Sequence, residues 1–164
     1  MARKILRGTH SEPEYYTLIG ISCHLKDYRL SYLLNKKLEF VFSKQQDLII
    51  TLQEKKEPAN FSFYYYKDED QINSYWLIVN RSEEYVLLPE IKQLDFLLMV
   101  EGEFKKNRKD QLLKAVSSIQ NVLTAYEISL TNIKNFENLL TEIEIHLMNI
   151  FRIPKTKFET HLKK

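Results

Sequence analysis

A chain of 164 residues with 44% hydrophobic and 12% aromatic content can bury the core of one ordinary domain, and it does not have the composition of a disordered chain. Its 24 basic and 22 acidic residues leave a formal charge of +2, without the basic excess usual in nucleic-acid-binding domains. A single cysteine, Cys23, leaves no partner for an internal disulfide and fits a reducing compartment.

Residues 1–12 are polar and basic and read as a flexible arm with no apolar h-region behind it, so no secretory signal is expected. Tyr15 to Ile21 alternates as a strand. A helix is expected next, with Leu25, Tyr28, Tyr32 and Leu33 on its inner side and Ser22 as its N-cap. Asp47 to Gln53 returns as a strand and completes a strand–helix–strand unit. The middle reads as β throughout. Phe61, Phe63 and Tyr65 share one face and Ser62, Tyr64 and Tyr66 the other. The polar run Lys67 to Asn73 makes a turn, and Ser74 to Val79 and a short Tyr85 to Leu88 strand follow, antiparallel because they lie so close in sequence.

The last third repeats the opening. Leu94 to Glu101 is a strand ended by Gly102, and Lys105 to Lys109 a basic loop. Leu112, Leu113, Val116 and Ile119 mark a helix, and Val122 to Ile128 the next strand. Beyond Thr131, the residues Ile133, Phe136, Leu140, Ile143, Leu147 and Ile150 recur at alternating steps of three and four. They form an amphipathic seam, widened by Leu139, Ile145 and Met148, which Pro154 is expected to stop. The divisions are therefore a 1–12 arm, a 13–130 α+β domain, a 131–152 helix and a 153–164 basic tail. The expected fold is α+β: a ferredoxin-like or ACT-like antiparallel sheet with helices on one face, an inserted β-hairpin region and an added C-terminal helix.

Between two apolar runs lies Leu88-Pro89-Glu90-Ile91-Lys92-Gln93-Leu94-Asp95-Phe96. It resembles the signature of the IPExxxVDY family, small proteins typical of Bacteroidota. Pro89, Glu90 and Asp95 are identical to that signature, while Leu88, Leu94 and Phe96 stand for Ile, Val and Tyr. Leu18 to Ser22, running into His24 to Leu30, is similar to the family's opening. The resemblance covers Tyr15 to Ile128 and brings no activity with it. From the residues themselves, Pro89 forces a turn, and carboxylates flanking it can accept backbone N–H groups. That reading outweighs a ligand-binding carboxylate pair, because no histidine or cysteine nearby completes a catalytic set.

Other chemistry is thinner. Asp68-Glu69-Asp70…Asn73 lacks the glycine and terminal glutamate of a calcium loop. Cys23-His24 has no second Cys or His at zinc spacing. Three glycines make a backbone phosphate cradle hard to build. The aromatic run Phe61 to Tyr66 invites stacked bases, yet lacks the basic residue and glycines of a ribonucleoprotein strand.

The leading expectation is a cytoplasmic, non-enzymatic protein-binding or assembly module, without cofactor, metal or membrane. It would work through an interaction corner of Pro89, Glu90, Asp95 and Phe96 together with the terminal helix. Its partner would be a protein or a second copy of the chain. Alternatives are RNA or ribosome association through Lys105, Lys106, Arg108 and Lys109, and a small-molecule regulatory domain.

Overall fold

A computed structural model of the chain describes residues 15–52 and 56–163, with side chains up to Phe151. The arm expected over 1–12 lies outside the described residues, as do Gln53 and the side chains of the basic tail. The fold is α+β, with three helices and an antiparallel sheet of six strands among the described residues.

The elements run β1 (Tyr16–Cys23), α1 (Asp27–Leu38), β2 (Ser43–Lys44), β3 (Leu48–Leu52), β4 (Glu57–Phe61), β5 (Phe63–Asp68) and β6 (Asn73–Val79). They continue through a 3-10 turn (Pro89–Ile91), β7 (Phe96–Glu101), α2 (Lys106–Ser117), β8 (Val122–Ile128), a second 3-10 turn (Leu130–Asn132) and α3 (Phe136–Lys163). The main sheet has the order β2-β5-β6-β7-β1-β8, while β3 and β4 pair only with each other. Two compact units result, one through Lys134 and one from Asn135 onward.

In the first unit, strand alternation sends Ile19, Ile21 and Cys23 of β1 to one face, together with Tyr75 and Leu77 of β6 and Phe96, Leu98 and Val100 of β7. There they meet Leu30 and Leu34 of α1 and Leu112 and Val116 of α2 in one core. At about 1.5–3 kcal/mol for each fully buried large apolar side chain, this layer is the main source of cohesion. The opposite face is also apolar and buried, with Leu18, Trp76, Ile78, Leu97 and Met99 at 1% exposure or less. Gly20 belongs to that face, where a Cβ would collide with the side chains of Leu94 and Ile128.

Several expectations need correction. The inner face of α1 is Leu30, Ser31 and Leu34, while Tyr28 and Tyr32 are exposed. Both sets are spaced for a helix, and the tyrosines are amphipathic enough to lie in water. Ser22 is inside β1, and the N-cap is Lys26, which makes no side-chain cap bond. The strand at Leu48–Leu52 stays out of the main sheet and pairs with β4 instead. The aromatic run breaks at Ser62, leaving Phe61 in β4 and Phe63 to Tyr66 in β5. Tyr85 to Leu88 forms no strand; only an isolated Arg81–Val86 bridge occurs there.

Lys106 to Lys109 is the first turn of α2 rather than a loop, with Lys105 as its N-cap. Ile133 precedes α3, and the helix continues through Pro154, forgoing the one backbone bond that proline cannot donate. Along α3, Phe136, Leu139, Leu140 and Ile143 are buried, while Leu147 and Ile150 are partly exposed. Among the described residues, no helix is long and apolar enough to cross a membrane.

Candidate functional site

The Pro89 to Phe96 corner connects β6 to β7, and its geometry is governed by a residue outside the motif. Asn80, fully buried, follows the last residue of β6. Its Nδ2 donates to the carbonyls of Ile91 (3.1 Å) and Leu94 (2.9 Å), and its Oδ1 accepts the N–H of Leu88 (2.9 Å). Its backbone carbonyl accepts from Leu87 N–H and its own N–H donates to the Asp95 carbonyl. One carboxamide thus satisfies three backbone groups of a non-repetitive segment, where water would otherwise be needed.

Within that frame Pro89 occupies the first position of the 3-10 turn, where a missing N–H costs nothing. The Leu88 carbonyl accepts from Ile91 and the Pro89 carbonyl from Lys92, which closes the turn. Each motif carboxylate then holds a different backbone segment. Asp95 Oδ2 accepts the N–H of Cys23 at 2.9 Å, and Oδ1 pairs with Arg81 at 3.0 Å. Glu90 Oε2 accepts the N–H of Lys134 at 2.6 Å. Pro89 and Glu90 are exposed and Asp95 half-buried, but Phe96 is a core residue of β7 at 5% exposure. Alternation along β7 turns its ring toward the helices, so it is not part of an exposed corner.

Cys23, beside this corner, is buried, and burial raises its thiol pKa, with Asp95 adding to the rise. A thiol kept protonated is a poor nucleophile. Among the described residues, no group of three or more His, Cys, Asp or Glu could hold a metal ion.

The aromatic strand is largely interior. Tyr64 is 4% exposed, and Tyr66 stacks on Phe40 (4.9 Å between centroids) and Tyr75 (5.6 Å). The Tyr64 hydroxyl donates to Asp27 Oδ2 at 3.0 Å, where Lys44 also sits at 3.6 Å. Burial and the Asp27 carboxylate push the Tyr64 pKa far upward. Burial acts to raise the Asp27 pKa, but hydrogen bonds from Tyr64 and Ser62, with Lys44 and the Tyr28 N–H, outweigh it and hold it below the ordinary carboxylate value.

The basic cluster divides in two. Arg108 turns inward, donating to Asn73 Oδ1 (2.8 Å) and the Tyr75 hydroxyl (3.2 Å) and lying 4.8 Å from the Phe104 ring centroid. Asn73, 1% exposed, uses its Nδ2 on the Glu101 and Glu103 carbonyls at 3.1 Å each. Lys106 pairs with Asp110 and Lys109 with Glu127. The cluster is therefore mostly neutralised within the chain.

Asn73 and Asn80 were both missed from sequence, where they read as ordinary turn residues. Their signal was available: a carboxamide at each end of the wholly apolar stretch Tyr75 to Val79 can cap the chain as it leaves the sheet. No protein-family model matches the chain, and no curated protein matches it.

Proposed function

We propose that this protein is a non-enzymatic assembly module that pairs with a second copy of itself through α3. The observation that carries the reading is an apolar stripe on that helix: Ile145, Met148 and Phe151, at three-residue spacing, are 48%, 45% and 44% exposed. Three large apolar side chains in a row are more than a solvated helix needs, and such stripes mark protein contacts. Charge favours a second copy running antiparallel. Glu137, Glu142 and Glu144 precede Met148, whereas Arg152, Lys155, Lys157 and Lys163 follow it, with Glu159 the exception. Antiparallel pairing about the stripe sets acidic half against basic half.

A ferredoxin-like or ACT-like unit is supported by the chain order β1-α1-β6-β7-α2-β8 with the spatial order β6-β7-β1-β8, in which β2 to β5 are an insertion. The IPExxxVDY resemblance is supported by the role of Pro89, Glu90 and Asp95, which together fix one corner. In this reading the corner is a brace and α3 the working surface, in the cytoplasm and without cofactor. Light scattering coupled to size exclusion tests it. The expected result is a dimer, converted to a folded monomer by Met148→Glu. A wild-type monomer at high micromolar concentration would end the proposal.

A further inference from the structure

A cleft of about 470 Å³ opens between α1 and the turn from α2 into β8, within the first unit. Its volume lies in the range of roughly 300–1,000 Å³ that small-molecule sites occupy. The charge along its wall is one-sided. Arg29, Lys36 and Lys37 line it from α1, and among the described residues no acidic one lines it. Among the described residues none of these three cations forms an ion pair. Lys44, Arg81, Lys106, Arg108 and Lys109 each do.

Helix electrostatics accounts for only part of this. Lys36 and Lys37 lie in the last turn of α1, where cations complement the helix dipole. Arg29 lies in the first turn, where the dipole disfavours a cation. It is steadied there by the Tyr32 ring, 5.9 Å from the guanidinium carbon. The placement of Arg29 therefore works against its helix while serving the cleft. Helical spacing then puts Arg29, Leu33, Lys36 and Lys37 on one side of α1.

Leu25, Leu33 and Ile119 give the cleft an apolar lining, and Gln120 and Asn121 bring two carboxamides. The Asn121 backbone is left-handed, with φ of 76°, and its carbonyl accepts the N–H of His24, which ties this turn to the end of β1. Cations, an apolar surface and groups able to read a heteroatom edge, on a fixed backbone, are the requirements of one ligand class.

We infer that this cleft binds an organic phosphate of mononucleotide size. Arg29, Lys36 and Lys37 take the phosphate, the leucines and Ile119 take the flat or apolar body, and Gln120 and Asn121 bond its polar edge. The site lies apart from the α3 stripe and stands whether or not α3 pairs.

The test is amide-detected NMR on the full chain, titrated with each of the four common ribonucleoside 5′-monophosphates. Parallel titrations use inorganic phosphate and a short single-stranded RNA. The expected result is saturable shifts at Leu33, Lys36, Gln120 and Asn121 with at least one nucleotide. Inorganic phosphate should bind more weakly. The variant Arg29→Gln/Lys36→Gln/Lys37→Gln should lose about tenfold or more in affinity, as removal of charge-assisted contacts requires, while its circular dichroism is unchanged. Nucleotides at millimolar concentration that leave those amides unmoved would overturn the inference. So would equal binding by the triple variant, or a response to RNA alone.

Discussion

The Asp95 side chain takes the place of a backbone carbonyl for Cys23. The β1–β7 ladder ends at Ile21 opposite Phe96, and the Asp95 N–H bonds the Ile21 carbonyl. One step further, Oδ2 of the same residue accepts the Cys23 N–H at 2.9 Å, where β1 shifts register against β8. Asp95→Ala should strip that bond and cost about 2 kcal/mol, the range for a lost bond to a charged group. Asp95→Asn can still accept from Cys23 and loses only the charge opposite Arg81, whose side chain is 49% exposed, so it should cost under about 1 kcal/mol. Urea unfolding gives both values. Hydrogen exchange at the Cys23 amide should quicken in the alanine variant and stay slow in the asparagine one.

Asn80 is expected to matter more than any residue of the signature itself. Asn80→Ala would leave the Leu88 N–H and the Ile91 and Leu94 carbonyls without their present partner in a buried setting. At roughly 1–3 kcal/mol per stranded group, a loss of about 3 kcal/mol or more is expected after partial relaxation. Asn80→Asp should be equally damaging near neutral pH, since it aims a carboxylate at two carbonyls. Protonation would restore one donor, so the aspartate variant should recover part of its deficit toward acid pH, whereas the alanine variant should not. Denaturant titrations at two pH values separate them.

The local order of the main-sheet strands was readable from sequence because alternation and length agree. Val122 to Ile128 runs as expected, and Leu94 to Glu101 is only two residues too long. The partner of Leu48 to Leu52 was not readable, since its local pattern serves either sheet equally well; pairing with β4 is decided by contacts far along the chain. The break at Ser62 was hidden for a related reason: alternation continues across it although the strand does not. For α1, two i,i+4 pairs lie on different sides of the helix, Tyr28 with Tyr32 and Leu30 with Leu34. Only the packed structure shows that the leucines point inward. The corner was legible as a turn with bracing carboxylates, but its hub was only hinted at: a carboxamide at the end of an apolar strand signals a cap, while the three backbone groups it meets lie 8 to 14 residues along the chain.

The Asp27–Tyr64 bond should leave a trace at both ends of the pH scale. Asp27 has a folded pKa below its ordinary 3.8, so its contribution to stability is present above that value and is lost as pH falls through the folded value. Tyr64 has a folded pKa raised above 10.0, so the unfolded chain ionises first and stability declines as pH rises past 10. Tyr64→Phe should lower stability near neutrality by about 1.5–3 kcal/mol, the range for a bond to a charged partner. It should also shrink both pH-dependent losses. Thermal unfolding from acid to alkaline pH measures this, and an unchanged profile would remove the linkage.

Arg108 offers a direct test of the RNA alternative. Its guanidinium bonds Asn73 and Tyr75 at once, a fork that a lysine ammonium cannot reproduce. Arg108→Lys should therefore cost about 1–2 kcal/mol in unfolding experiments. Lys105→Gln and Lys106→Gln, at exposed positions, should change stability by less than about 0.5 kcal/mol. If the cluster served RNA, the exposed pair would reduce affinity and flatten its salt dependence. The expectation is that RNA affinity at low ionic strength is weak and the same in both lysine variants.

On α3 the two kinds of apolar position should separate cleanly. Leu140 is 4% exposed and Met148 45%, eight residues further on and so about 80° around the helix. Leu140→Asp places a charge in a buried site and should lower stability by more than about 3 kcal/mol, whatever the oligomeric state. It therefore says little about assembly. Met148→Glu, at an exposed position, should leave the monomer fold intact and act on association alone. Met148→Lys should act in the same direction, because the contact it interrupts is apolar. Dilution supplies the decisive comparison: the wild-type melting temperature should rise with protein concentration, as it must when folding and pairing are linked. Neither Met148 variant should show that dependence. A concentration dependence that survives unchanged in Met148→Glu would mean that the dimer is held elsewhere than by α3.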